Sequence, residues 1–244
     1  IMFNMSPVKN GWNNSPLSKS EDLQKAAEDF RYLLNRKYPR KAALELVGNR
    51  YGLNYDQRHL LHRGVFSKAD SESRRKKKVS LAEIRGKDLV IDGYNVLITI
   101  EAGLSGRPLT FGDDGFVRDI SGLSGNFRKT ERTEKALQLV FHTLKTMKPY
   151  HTLFLFDAPI SMSGKFAQGV RQRLKEESLT GDAKAVKVPE KILMGFPGVV
   201  ATSDTAIIDQ SKQVFDLAGT IITKRIHSQS ILQWRRKRGL VGKR

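Results

Sequence analysis

Three aspartates in this 244-residue chain each stand where a short apolar run gives out: Leu-Val-Ile-Asp92-Gly-Tyr-Asn95, Leu-Phe-Leu-Phe-Asp157-Ala-Pro and Val-Val-Ala-Thr202-Ser203-Asp204. A short apolar run broken by polar residues reads as a buried strand, and parallel sheets bind ligands beyond the carboxyl ends of their strands. Three such ends on one rim would bring three carboxylates together. Convergent carboxylates repel unless a cation neutralises them, and magnesium or manganese favours an all-oxygen ligand set. One or two Mg or Mn ions held by Asp92, Asp157 and Asp204 are therefore expected. Such ions lower the pKa of bound water and neutralise phosphoryl oxygens, the arrangement used for phosphodiester hydrolysis. The plain alternative for each aspartate is a turn or helix cap. Glu101, Asp113, Asp114 and Asp119 lie in a long glycine-rich connection that could fold over the rim and complete the site. Ser161 and Ser163 precede an expected helix, where hydroxyls and free amides can hold a phosphate or simply cap the helix.

These residues need a scaffold, and beyond residue 79 apolar strands alternate with helical periodicity. That pattern predicts an α/β class domain, a mainly parallel sheet covered on both faces. Strands are expected at 89–92, 153–157, 185–188, 199–202 and 220–223, with helices at 133–147, 164–177 and 205–216. Before this domain the pattern is purely helical. Ser18-Lys-Ser-Glu21 has capping-box spacing ahead of an apolar face of Leu23, Ala26, Ala27, Phe30, Leu33 and Leu34. That helix should stop before Pro39. A second helix fits 41–51, and a third, capped by Asn54 or Asp56, presents Leu60, Leu61 and Val65. The glycine turn between them loosely suggests a helix-turn-helix, but Arg58 stands where that motif wants an apolar residue, which favours a plain bundle. His59 and His62 are assigned no function. The organisation read from sequence is a flexible arm (1–17), a helical module (18–73), a basic linker (74–80), the α/β domain (81–226) and a basic tail (227–244).

The formal net charge is +18. Much of it is clustered: Arg74, Arg75, Lys76, Lys77 and Lys78 are consecutive, and residues 217–244 contain eight basic side chains and no acid. Clustered charge makes a field and implies a polyanionic partner. With Trp234 set beside Arg235, Arg236, Lys237 and Arg238, stacking on a base becomes plausible and RNA is favoured. The absence of cysteine excludes disulfides, thiol nucleophiles and thiolate metal sites. A Walker motif fails because Pro159 stands where its first glycine belongs and Phe166 replaces the hydroxyl residue; no dinucleotide or serine-hydrolase motif is present. With no span-length apolar run and no secretory signal, a soluble cytoplasmic protein is expected, without a membrane partner.

The run Val-Ile-Asp92-Gly-Tyr-Asn95-Val, a mid-chain strand-end aspartate and then Thr202-Ser203-Asp204 together resemble the PIN-like nucleases, especially their NYN branch. Over roughly residues 20–225 the chain resembles an archaeal family of uncharacterised proteins in which a small helical module precedes a PIN-like domain. The resemblance implies a Rossmann-like sandwich and a magnesium- or manganese-dependent site that cuts RNA. By motif, Asp92 matches the first family acid, Asp157 a middle one and Asp204 the last, with Asn95 supporting the first; Glu101 and Asp114 are the further catalytic candidates. The stretch Gly-Asp-Asp-Gly-Phe-Val-Arg-Asp departs from ordinary PIN domains. Two functions follow: a metal-dependent ribonuclease acting on RNA such as ribosomal or transfer RNA, or a non-catalytic RNA- or ribosome-binding protein built on the same scaffold.

Overall fold

The computed structural model describes residues 21–120, 127–226 and 231–234. Four helices come first: α1 (Glu21–Asn35), α2 (Arg40–Arg50), α3 (Tyr55–Gly64) and α4 (Lys68–Lys77). Leu23, Ala26, Ala27 and Phe30 form the buried face of α1, and Pro39 precedes α2. Asn54 caps α3 reciprocally with Gln57, so two orphan amides are satisfied by one side-chain pair. Ser18 lies outside the described residues. The Arg58 guanidinium turns back onto the Leu53 carbonyl and Asn49, which is how a charged residue is tolerated at that position.

A larger α/β part follows: β1 (Asp88–Asp92), α5 (Gly93–Leu104), β2 (Leu109–Phe111), β3 (Val117–Asp119), α6 (Glu131–Met147), β4 (His151–Asp157), α7 (Ser163–Glu176) and β5 (Gly181–Val186). It continues with α8 (Pro189–Met194), β6 (Val199–Ala201), α9 (Thr205–Gln210), β7 (Gln213–Phe215), α10 (Leu217–Ile221) and β8 (Ile231–Gln233). Five strands form a wholly parallel sheet in the order β5-β4-β1-β6-β7. Its central strands β1, β4 and β6 are buried on both faces. Leu89, Ile91, Phe154, Phe156, Val199 and Ala201 point into the main core with α5, α6, α7 and α10. Val90, Leu155 and Val200 point the other way, into a smaller core with Leu193 of α8 and Ile207 of α9. β2, β3 and β8 make a second, three-stranded sheet in the order β3-β2-β8. Among the described residues no helix is long and apolar enough to cross a membrane.

Several sequence expectations need correction. Residues 220–223 are not a strand: their apolar run buries one helical turn and the irregular turn after it against α5. The fifth strand is instead the short β7, inside the span expected to be one helix. The basic stretch 74–80 is not a linker, because α4 runs through residue 77 and its end is stitched to the α/β part. The tail is not wholly free either, since β8 pairs with β2. Trp234 is buried, and its indole N–H donates to Thr110 Oγ1 at 2.9 Å. Gly64 approaches so closely that a Cβ there would collide with both groups. Trp234 therefore joins the core of the helical module rather than presenting a face to a base. Arg235, Arg236, Lys237 and Arg238 lie outside the described residues.

Candidate functional site

The order of the five-stranded sheet reverses between β1 and β6, the position where open parallel sheets bind ligands. Asp92 ends β1, Thr202-Ser203-Asp204 follows β6, and Asp157 ends β4 on the other side of β1. Side chains alternate along a strand, so Asp92 and Asp157 share the face of Val90 and Leu155, with Thr202 in phase with Val200. Asp92 pairs in register with Leu155, which sets Asp157 two residues further out on the neighbouring strand. Two strands thus aim their terminal carboxylates to the same side of one rim.

Local hydrogen bonds fix the parts. Thr202 Oγ1 donates to Asp92 Oδ2 at 2.8 Å and accepts from the Asp204 amide at 3.1 Å. Asn95 Oδ1 accepts from both the amide and the hydroxyl of Ser203, each at 3.0 Å. The first and last motifs, over a hundred residues apart, are therefore one hydrogen-bonded unit. The capping alternative separates the aspartates: Asp204 accepts from the Ala206 and Ile207 amides through Oδ1 and is a cap, whereas Asp92 precedes α5 without capping it. Asp216, which follows β7, is also a cap and is further engaged by Lys78 and the Val117 amide.

Glu190, at the start of α8, joins this rim without having been expected there. Burial raises the Asp92 carboxyl most; the Thr202 bond opposes that, and the charges of Asp204, Asp157 and Glu190 add to it, leaving the group pushed up to about 7. Burial and then Glu190 also raise Asp157. Among the described residues, no lysine, arginine or histidine forms an ion pair with Asp92, Asp157, Glu190 or Asp204. Glu190 carries no local signature beyond following Pro189; only the packing of Leu193 under the sheet places it here.

The remaining candidates fall elsewhere. Asp114 is fully buried beneath the helical module, where Arg118 holds it bidentately at 2.8 and 2.9 Å and Arg74 approaches at 3.4 Å. It is a structural counter-ion, not a rim acid. Arg74 is likewise internal, gripping Asp209 at 2.7 and 2.8 Å. Lys77 Nζ donates to the Ile208 carbonyl, and Lys78 Nζ binds the Gly115 carbonyl and Asp216, so Arg75 and Lys76 are the exposed members of that run. Glu101 sits half-buried on α5, about 12 Å along the helix from Gly93. It accepts from Thr133 Oγ1 at 2.6 Å and is raised by burial. Ser163 is buried with its hydroxyl on the Ala158 carbonyl, while Ser161 is exposed.

The rim's chemistry suits a hard divalent cation: oxygen donors alone, several like charges and no resident cation among the described residues. As placed, no three His, Asp or Glu side chains among those residues are gathered around one ion position. Magnesium is commonly held by one or two carboxylates with substrate phosphates and water completing its shell, and Asp92 with a neighbouring acid fits that demand.

A parallel α/β sheet with acidic residues at its switch point is the class that fold and site define. Residues 81–220, more than half the chain, match the family described as Domain of unknown function (DUF5616), and the chain belongs to that family. Residues 22–77 match Protein of unknown function (DUF434). An uncharacterized protein of Methanocaldococcus jannaschii is 35% identical over 202 residues, covering 82% of this chain and 96% of its own length. No solved structure matches.

Proposed function

We propose that the protein is a PIN-like, metal-dependent ribonuclease that hydrolyses RNA phosphodiester bonds at the rim formed by Asp92, Asp157, Asp204 and Glu190. The observation that carries this reading is the set of acids at the switch point with no cationic partner among the described residues. Burial, with the charges of Asp204, Asp157 and Glu190 adding to it, pushes Asp92 up to about 7, a cost to a fold that uses the carboxylate for nothing. The excess of positive charge elsewhere in the chain supports a polyanionic substrate.

When bound, a divalent ion supplies charge neutralisation at the phosphoryl group and a lowered pKa for its water. Asp92 and Asp157 are the residues to hold it, Glu190 adds negative potential, and Asp204 presents its carboxylate while anchoring α9. Thr202 fixes the Asp92 carboxylate by donating to Oδ2, and Asn95 holds the loop after β6 through both groups of Ser203. These contacts orient the acids before substrate arrives.

The test is cleavage of total RNA by the full chain with Mn or Mg and with EDTA. Cleavage should depend on the metal and fall to background in Asp92→Asn, with circular dichroism unchanged. Metal-independent cleavage, or an unaltered rate in the variant, overturns the assignment. Retained RNA binding with no cleavage under any metal would support the non-catalytic alternative.

A further inference from the structure

Between α6 and α7 lies a groove of about 810 Å³, in the size range of small-molecule sites. It occupies the opposite face of the sheet from Glu190 and reaches the rim at Tyr94, two residues after Asp92. Its floor is aromatic. Tyr94 packs against Phe127 (ring centroids 4.5 Å apart), Phe156 (5.1 Å) and Phe166 (6.0 Å), and Phe156 directly precedes Asp157. Phe127 and Phe166 are only partly covered and line the opening. Tyr94 is two residues after Asp92 and packs on Phe156, the neighbour of Asp157, so the floor runs up to the acids.

The groove's edge is basic. Lys129 and Arg173 are matched by Glu134, at 2.6 and 3.6 Å. Arg128 and Lys165 also line the groove, and among the described residues neither has an ion pair. Aromatic faces beneath unpaired cations are the pairing that holds unstacked bases together with their phosphates, whereas a duplex keeps its bases stacked out of reach.

We infer that this groove binds single-stranded RNA, seating an unstacked base on Phe127 and Phe166 with the adjoining phosphates at Arg128 and Lys165, and leading the strand over the rim at Tyr94 to the acids. The inference rests on the nuclease reading only for what happens at the rim; the binding stands separately. It makes the substrate a single strand or an unpaired loop rather than a duplex.

Gly169 of α7 provides the sharpest test. It lines the groove, and a Cβ there meets nothing within 4 Å, so the side chain of Gly169→Trp starts from open space and takes up room in the groove. Binding of fluorescent oligouridylate and of an RNA duplex is measured by anisotropy in EDTA, where no metal-dependent cleavage can occur. Gly169→Trp should weaken oligouridylate binding about 10-fold or more, within the range expected for loss of one stacked base, and leave duplex binding unchanged. Lys165→Glu, an exposed substitution that does not disturb packing, should flatten the salt dependence of log affinity by about 0.7. Unchanged affinity in the first and unchanged slope in the second overturn the groove assignment. If those variants bind normally while Asp92→Asn loses cleavage, the groove fails and the nuclease reading stands. If they lose binding in a protein that cuts nothing with any metal, the groove stands and the nuclease reading fails.

Discussion

The acidic rim and the seam beneath the helical module use the same residue type to opposite ends. In the seam Asp113 is held by Arg31, Asp114 by Arg118 and Arg74, Asp119 by Arg63, Asp209 by Arg74 and Asp216 by Lys78. Phe66 lies among them with the guanidiniums of Arg40, Arg74 and Arg118 at 4.7, 4.6 and 5.1 Å from its ring. Burial works to raise the Asp114 carboxyl, but Arg118 and Arg74 outweigh it and hold it below the ordinary carboxylate range. On the rim, burial and like charge act together and Asp92 rises. Seam carboxylates have their counter-ions supplied within the fold. The rim carboxylates Asp92 and Asp204 have hydrogen-bond donors but no ion-pair partner among the described residues.

Breaking the seam should have the largest effect. Arg118→Met leaves the buried Asp114 with the Phe116 amide and, as counter-ion, the longer Arg74 contact, and removal of one partner from a buried pair typically costs about 3–5 kcal/mol. Urea denaturation should show that loss at every pH where Asp114 is ionised. A change below about 1 kcal/mol would mean the seam is not a buried ionic layer.

At the rim the sign reverses. In metal-free protein the folded state holds the Asp92 proton up to about 7, against 3.8 ordinarily, so ionising it disfavours folding. The cost is absent near pH 4, accumulates as pH rises and is complete above about 7. Asp92→Asn should therefore stabilise the metal-free protein at pH 8, by on the order of 2 kcal/mol, and not near pH 4. Denaturation midpoints of both proteins across that window decide it, and a variant destabilised at pH 8 would show that Asp92 is paired after all. The smallest effect sharpens the picture: Glu190→Gln should change stability by about 0.5 kcal/mol or less while moving the carbon-13 titration of Asp92 to lower pH. An unmoved titration removes Glu190 from the rim.

The contrast explains what could be read in advance. Buried parallel strands announce themselves locally, so β1 and β4 are visible in Leu-Val-Ile-Asp92 and Leu-Phe-Leu-Phe-Asp157, and so is the cap at Asn54. β7 has only three residues, and its Val214 and Phe215 continue a helical spacing from Ile207, so periodicity hid it. The run at 220–223 looks like a strand because β-branched residues suit any doubly buried segment. Arg74 and Trp234 were misread for a different reason: neighbours in sequence are cations, but their partners Asp209 and Thr110 are 135 and 124 residues away. Local charge patterning is blind to such pairs. Glu190 needed the placement of α8, which no spacing encodes.

Arg118 touches both regions. While two of its nitrogens hold Asp114, its Nε donates to the Ser203 carbonyl at 2.7 Å and a further contact reaches the Arg63 carbonyl at the end of α3. The loop that carries Asp204 is thus braced by a side chain whose own seat is completed by the helical module. The spans 22–77 and 81–220, though matched by separate families, are coupled through it: a chain without the first would keep Arg118, Asp114 and Ser203 but lose the Arg63 carbonyl and Arg74 that complete that seat.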